Sequence, residues 1–129
     1  MNWHFQDGSP IYTQLIGQIR QGIVSGAFRP GERLPSVRDL AMAAGVNPNT
    51  MQRALQELER EGMVYSQRTS GRFVTEDVNV IENAKKMLAE EQIRSFLASM
   101  TKLGYPREEI ISLLQASIKE EKNDANIGM

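Results

Sequence analysis

Cysteine is absent from the 129 residues. No disulfide framework, thiol nucleophile or thiolate metal site is therefore available, and a reducing compartment is compatible with the chain. Histidine is almost as scarce, since His4 is the only one. Beside Asp7 it offers two ligands at most, and a single histidine near a terminus is a poor metal centre, so no metal is expected. The sequence has no HExxH, no histidine close to a serine and an aspartate, and no glycine loop of the kind that cradles phosphate. Glu57, Glu59 and Glu61, like Glu90 and Glu91, read as solvated helix faces, not acid–base pairs. The parts of an enzyme are missing, and no catalytic activity or resident cofactor is expected. No apolar run approaches the roughly 18 residues of a membrane span. The opening MNWHFQDGSP lacks the basic and apolar regions of a secretory signal. A soluble, cytoplasmic protein is expected.

Strong charge of one sign is lacking too: the net charge is −1, with 24% charged and 40% hydrophobic residues. This is an ordinary globular composition, and the length suits one domain or a small domain with an appendage. The distribution of charge is less ordinary. Residues 1–75 hold eight Arg and no Lys against six acidic residues, whereas residues 76–129 hold two Arg and five Lys against ten. Arginine presents a planar fork to phosphate or guanine, while lysine is a point charge common on solvated helix faces. The first part is the better candidate for contact with a polyanion.

Apolar periodicity orders that first part. Ile11, Leu15, Ile16, Ile19 and Ile23 recur at helical spacing behind Ser9-Pro10, which predicts a helix over about 10–25 with Ser9 as its cap. GAFRPGERLP is a loop with one short extended piece near Arg33-Leu34. Ser36 begins a short second helix as a capping-box start with Asp39, and Leu40, Ala41 and Ala44 form its apolar face up to Gly45. A third helix starts at Asn47-Pro48, buries Met51, Ala54, Leu55 and Leu58, and stops at Gly62. Met63–Tyr65 and Arg72–Val74 flank turn residues Gln67–Gly71 and predict a β-hairpin. The fold class expected is mainly α with a small β-hairpin: a winged helix-turn-helix over residues 1–75, followed by a helical segment over 76–129.

With residues 51, 54, 55 and 58 of the third helix buried, a 100° step per residue turns Asn49, Arg53, Gln56 and Arg60 to the opposite face, with Gln52 at its margin. Recognition helices enter the major groove by their N-terminal ends. Asn and Gln can pair with adenine there, and Arg with guanine. Free N–H groups of a first turn also suit phosphate. The plainer reading is that Asn-Pro-Asn-Thr is simply a good helix start and that any surface helix shows a polar face. The hairpin tip QRTSGR, with Arg68 and Arg72 flanking Thr69, Ser70 and Gly71, tips the balance, because it suits a wing on the backbone or in a minor groove.

The run PIYTQLIGQIRQGIVSG, followed by RPGERLPSVRDLAMAAGVNPNTMQRALQELEREGMVYSQRTSGRFV, resembles the DNA-binding domain of GntR-family bacterial transcription regulators. GVNPNT in a chain this short looks like the YtrA subfamily, whose members add two C-terminal helices for dimerisation. Together with the helix face and the hairpin, the expected DNA interface is Arg33, Ser36, Arg38, Asn47, Asn49, Thr50, Gln52, Arg53, Gln56, Arg68, Thr69, Ser70, Gly71 and Arg72; of these the resemblance implies three roles. Arg38 would bind a phosphate or base, the Asn47–Arg53 turn would read the groove, and Gly71 would mark the wing tip. Longer members often carry Arg where Pro48 and Gln52 stand here, which makes Arg53 the expected guanine reader. RTSGRF also replaces their more usual run of glycines.

Beyond residue 76, Ile81, Leu88, Ile93, Phe96, Leu97, Met100, Ile110, Leu113 and Leu114 give two helices, broken at Gly104, a large apolar face. The helices are expected over about Glu76–Lys102 and Pro106–Glu121, as a hairpin with a frayed tail from about residue 122. A homodimer would cover that face and place two recognition helices on a palindromic operator in double-stranded DNA. The alternative is that the helices cap a monomer. Met87, Phe96, Met100 and Tyr105 could line a small-molecule effector site, or serve only as core. A dimer that blocks a promoter predicts a repressor. The rival reading of the fold is a winged-helix adaptor for protein or RNA.

Overall fold

The computed structural model describes residues 1–127, with side chains through residue 123. Its elements in chain order are α1 (Ile11–Val24), α2 (Val37–Ala44), α3 (Pro48–Arg60), β1 (Val64–Gln67), β2 (Gly71–Val74), α4 (Val78–Lys102) and α5 (Arg107–Ile127). The chain divides into two compact units, Met1–Met87 and Leu88–Met129, so the division falls inside α4.

In the first unit α3 is the central element. Its stripe Met51, Ala54, Leu55 and Leu58 is buried against α1, which contributes Leu15, Ile16, Ile19 and Ile23, and against α2, which contributes Leu40, Ala41 and Ala44. Ala54, fully buried, lets the helices approach closely. The turn between α2 and α3 rests on Gly45, which holds φ 71°, ψ 35°. That left-handed conformation disfavours a side chain. It lets the Val46 N–H return to the Ala41 carbonyl at 3.0 Å, satisfying an orphan at the helix end.

The hairpin pairs Val64 with Val74, Tyr65 with Phe73, Ser66 with Arg72 and Gln67 with Gly71. Val64 and Val74 enter the core, while the Tyr65 and Phe73 rings stack 5.6 Å apart on the other face. The Arg33-Leu34 segment lies along β2 as expected: Arg33 bridges Phe73, and the Leu34 N–H donates to the Arg72 carbonyl at 2.9 Å. The first turns of α4 belong to this unit, because Val80, Ile81 and Ala84 pack against its core.

The helix start at Ser9 differs from expectation. Pro10 precedes Ile11 as the first flanking residue, and no side chain caps α1. The Ser9 carbonyl instead accepts from Gln14 Nε2 at 2.9 Å. Gln14 also exchanges two hydrogen bonds with the backbone of Gln6, its Oε1 accepting and its Nε2 donating, both at 2.8 Å. One turn further along, Gln18 does the same with His4, accepting at 3.1 Å and donating at 2.5 Å. The extended arm so held turns Trp3 and Phe5 onto the core.

The second unit holds the remainder of α4, joined through Gly104 to α5. Leu103, Ile111, Leu113, Leu114 and Ile118 stay exposed, as do Ile93 and Phe96 on α4. Ile110 is the exception, at 2% exposure. Helical backbone continues to Ile127, past the fraying expected from residue 122, because neither glycine nor proline interrupts residues 107–127. The remainder of that expectation, Gly128 and Met129, lies outside the described residues.

Candidate nucleic-acid interface

The free face of α3 carries the residues expected on it. Asn49, Arg53, Gln56 and Arg60 are exposed and Gln52 is half-buried at the margin. Each has a distinct setting. Asn47 is occupied as a helix cap, its Oδ1 accepting from the Asn49 N–H at 2.8 Å. Ser36 caps α2 in the same way, accepting from the Asp39 N–H at 3.1 Å. Both side chains therefore position the helix-turn-helix at its two entry points. The first turn of α3 is less open to phosphate than a bare helix end. Pro48 has no N–H, the Asn49 amide is capped, and the Met51 amide bonds the Asn47 carbonyl at 3.1 Å, which leaves Thr50 to offer its own.

Arg53 projects from the middle of the exposed face, and its guanidinium lies over the Tyr12 ring, 4.5 Å from the centroid. Tyr12 is not legible in the sequence as a partner of Arg53. Its only sign is an aromatic at the edge of the apolar stripe of α1, where it is half-buried. Arg60, one turn beyond Gln56, is paired with Glu57 at 2.6 Å. The hydrogen bond and charge of that carboxylate raise the arginine's pKa above its ordinary value. Arg20 of α1 is likewise tied to Glu61. Among the described residues the other arginines of the first unit, Arg29, Arg33, Arg38, Arg53, Arg68 and Arg72, have no carboxylate within salt-bridge distance. They are the cations available to a polyanion.

The wing adjoins α3 through Arg72, whose Nη1 donates to Gln52 Oε1 at 3.2 Å. Arg68, Thr69 and Ser70 are exposed and form the turn, closed by the Ser70 N–H on the Gln67 carbonyl at 3.1 Å. Gly71, expected at the tip, instead opens β2 with φ 102°. A Cβ there would stand 3.2 Å from Arg33 Nε, so the glycine admits the Arg33 guanidinium against the base of the wing. Arg38 is exposed in the first turn of α2.

Of the residues expected at a dimer interface, Ile81 packs on the first unit's core and Ile110 is buried. Leu88, Leu97 and Met100 are half-buried, and Ile93, Phe96, Leu113 and Leu114 are exposed. Met87 and Tyr105 are exposed as well. No group of three or more metal-ligating side chains gathers among the described residues, and no described helix is long and apolar enough to cross a membrane.

Two short helices joined at a glycine turn, a polar outer face on the second and a hairpin beside it define a winged helix-turn-helix of the DNA-binding transcription regulators. Residues 11–74 match the family described as "Bacterial regulatory proteins, gntR family". The uncharacterized regulator YhcF of Bacillus subtilis is 39% identical over 111 residues, spanning 86% of this chain and 92% of YhcF. The repressor YtrA of the same organism is 33% identical over 124 residues, spanning 92% of this chain and 95% of YtrA. The chain belongs to the GntR family of helix-turn-helix transcriptional regulators, in its YtrA subfamily. Among solved structures, a GntR family regulator from Listeria monocytogenes superposes with a TM-score of 0.79 at 39% identity, covering 87% of this chain and 98% of that one. The DNA-binding domain of AraR, solved in complex with its operator ORX1, superposes with a TM-score of 0.53 at 28% identity over 58% of this chain and 96% of that one.

Proposed function

We propose that this regulator is a cytoplasmic repressor that acts as a homodimer on a palindromic operator. Residues 1–75 bind DNA, and the helices after residue 76 associate the two copies. The observation that carries the reading is the face of α3, where Asn49, Arg53 and Gln56 stand exposed, in a unit whose α2 and wing carry exposed arginines, Arg38 and Arg68, with no carboxylate in salt-bridge distance. Arg53 reads guanine, Asn49 and Gln56 reach neighbouring base edges, and Gln52 completes the set. Arg33, Arg38, Arg68 and Arg72, with the Thr50 amide and the hydroxyls of Thr69 and Ser70, hold phosphates. Ser36, Asn47 and Gly71 shape the backbone that presents them. The operator-bound AraR domain and the repressor name carried by YtrA support the choice of DNA and of repression.

Self-association is supported by apolar side chains left open on α4 and α5, among them Ile93, Phe96, Leu113 and Leu114. Such a surface favours burial against a second copy. A two-fold axis then sets the recognition helices about 34–36 Å apart, one turn of DNA. Ile81, packed on the first unit's core, and Ile110, already buried in a single copy, support that face without lying on it.

Fluorescence anisotropy of the purified protein on the DNA upstream of its own gene tests the reading, with a scrambled duplex as control and at two salt concentrations. Preference for the native duplex and saturation at two chains per duplex are expected. Equal, weak, strongly salt-dependent binding to both, followed by failure to select any site from genomic DNA, overturns the reading in favour of an adaptor.

A further inference from the structure

The contact between the wing and the recognition helix bears on which base Gln52 can read. Arg72 is anchored by its backbone on both sides: it pairs with Ser66 across the hairpin, and its carbonyl accepts from the Leu34 N–H at 2.9 Å. Its side chain is wedged against α3 deeply enough that Nε is buried with no hydrogen-bond partner. Nη1 reaches Gln52 Oε1 at 3.2 Å. A guanidinium has donors only, so this contact fixes the orientation of the carboxamide: the oxygen faces Arg72 and the two N–H donors of Nε2 face away.

We propose that Arg72 sets the polarity of Gln52, making it a donor to the N7/O6 edge of guanine instead of a bidentate reader of adenine. A glutamine reads adenine by accepting from N6 while donating to N7. Here the accepting oxygen is engaged by a cation, and an adenine amino group brought to its second lone pair meets the guanidinium charge. The guanine edge shows two acceptors side by side. It suits the Nε2 donors, and its negative potential is favoured beside Arg72. Gln52 thus becomes a reader whose preference is written on the hairpin, 20 residues away. The proposal rests on the reading that α3 enters the major groove.

Selection from a pool of random duplexes by the full-length protein tests it, with Gln52→Ala locating the position that Gln52 reads. The wild type is expected to enrich guanine there, and Arg72→Met to shift the preference from guanine to adenine by roughly tenfold. Gln52→Glu keeps the acceptor for Arg72 but has no donors. It is expected to lose the guanine preference, and it provides the test if Arg72→Met fails to fold. Adenine at that position in the wild type, or guanine retained unchanged in Arg72→Met or in Gln52→Glu, overturns the proposal while leaving DNA binding by α3 intact. Enrichment of no sequence by the wild type removes the groove reading, and this inference with it.

Discussion

The stacking of Arg53 on Tyr12 permits a graded test of the proposal that α3 reads a base. A good bidentate arginine–guanine pair discriminates by about 1–3 kcal/mol, so Arg53→Ala should weaken operator binding by about 5- to 150-fold and relax preference at one base pair. The ring contributes differently. Arg53 is exposed and Tyr12 half-buried, with 4.5 Å between guanidinium and centroid. That setting belongs near the lower end of the cation–π range, about 0.5–1 kcal/mol. On the proposed reading the contact orders the arginine before DNA arrives, which reduces the cost of immobilising a long side chain. Tyr12→Leu should therefore weaken binding by about 2- to 5-fold at the same base pair. Tyr12→Phe, which keeps the ring, should bind like the wild type. Because Tyr12 also packs on the core, urea denaturation of both variants separates a loss of fold from a loss of order. Anisotropy against a salt series supplies the second readout, because a base contact leaves the salt slope nearly unchanged whereas loss of a phosphate contact lowers it by about one. Full affinity in Tyr12→Leu, alongside a large loss in Arg53→Ala, would refute preorganisation. A lowered salt slope with uniform weakening across sequences would make Arg53 a phosphate contact.

Three further outcomes are expected. Gly45→Ala places a Cβ in open space at φ 71°, so its cost is backbone strain alone, about 1–2 kcal/mol, read as a lower urea midpoint at unchanged m. Leu58→Ala, at a fully buried position, should cost about 2–5 kcal/mol in the same assay. Leu114→Glu, on the exposed face of α5, should convert the proposed dimer to monomer in sedimentation equilibrium while leaving the helical circular-dichroism signal of the chain in place.

Much of this organisation is legible in the sequence because it depends on local geometry. The stripe Met51, Ala54, Leu55, Leu58 and the face opposite it follow from helical periodicity, and Gly45 follows from the need to end one helix and begin another within three residues. The hairpin strands lie close to where alternation and turn residues put them. What escapes are pairings between residues far apart in the chain. Tyr12 with Arg53 and Gln52 with Arg72 are written in no local pattern, because they need α1 and the wing already packed on α3. Ser36 and Asn47 are legible as caps, and the caps occupy their side-chain oxygens. Gly71 differs from expectation because β2 begins one residue earlier than alternation suggests, so the tip falls on Arg68–Ser70. Ile81 and Ile110 share their periodicity with the open apolar face, and only packing separates buried members from exposed ones.

The clip formed by Gln14 and Gln18 makes the two ends of its contact unequal in what they require of the sequence. A carboxamide offers the same adjacent C=O and N–H as a peptide group, so the pair imitates a neighbouring strand and grips main chain at residues 4 and 6. Nothing in that grip reads the His4 or Gln6 side chain. Any extended segment with apolar residues at positions 3 and 5 could be grafted in their place, whereas Gln14→Glu or Gln18→Glu keeps the shape and removes the donor. The chain end is thus an interchangeable part, and the instructions for attaching it are carried by the helix that receives it.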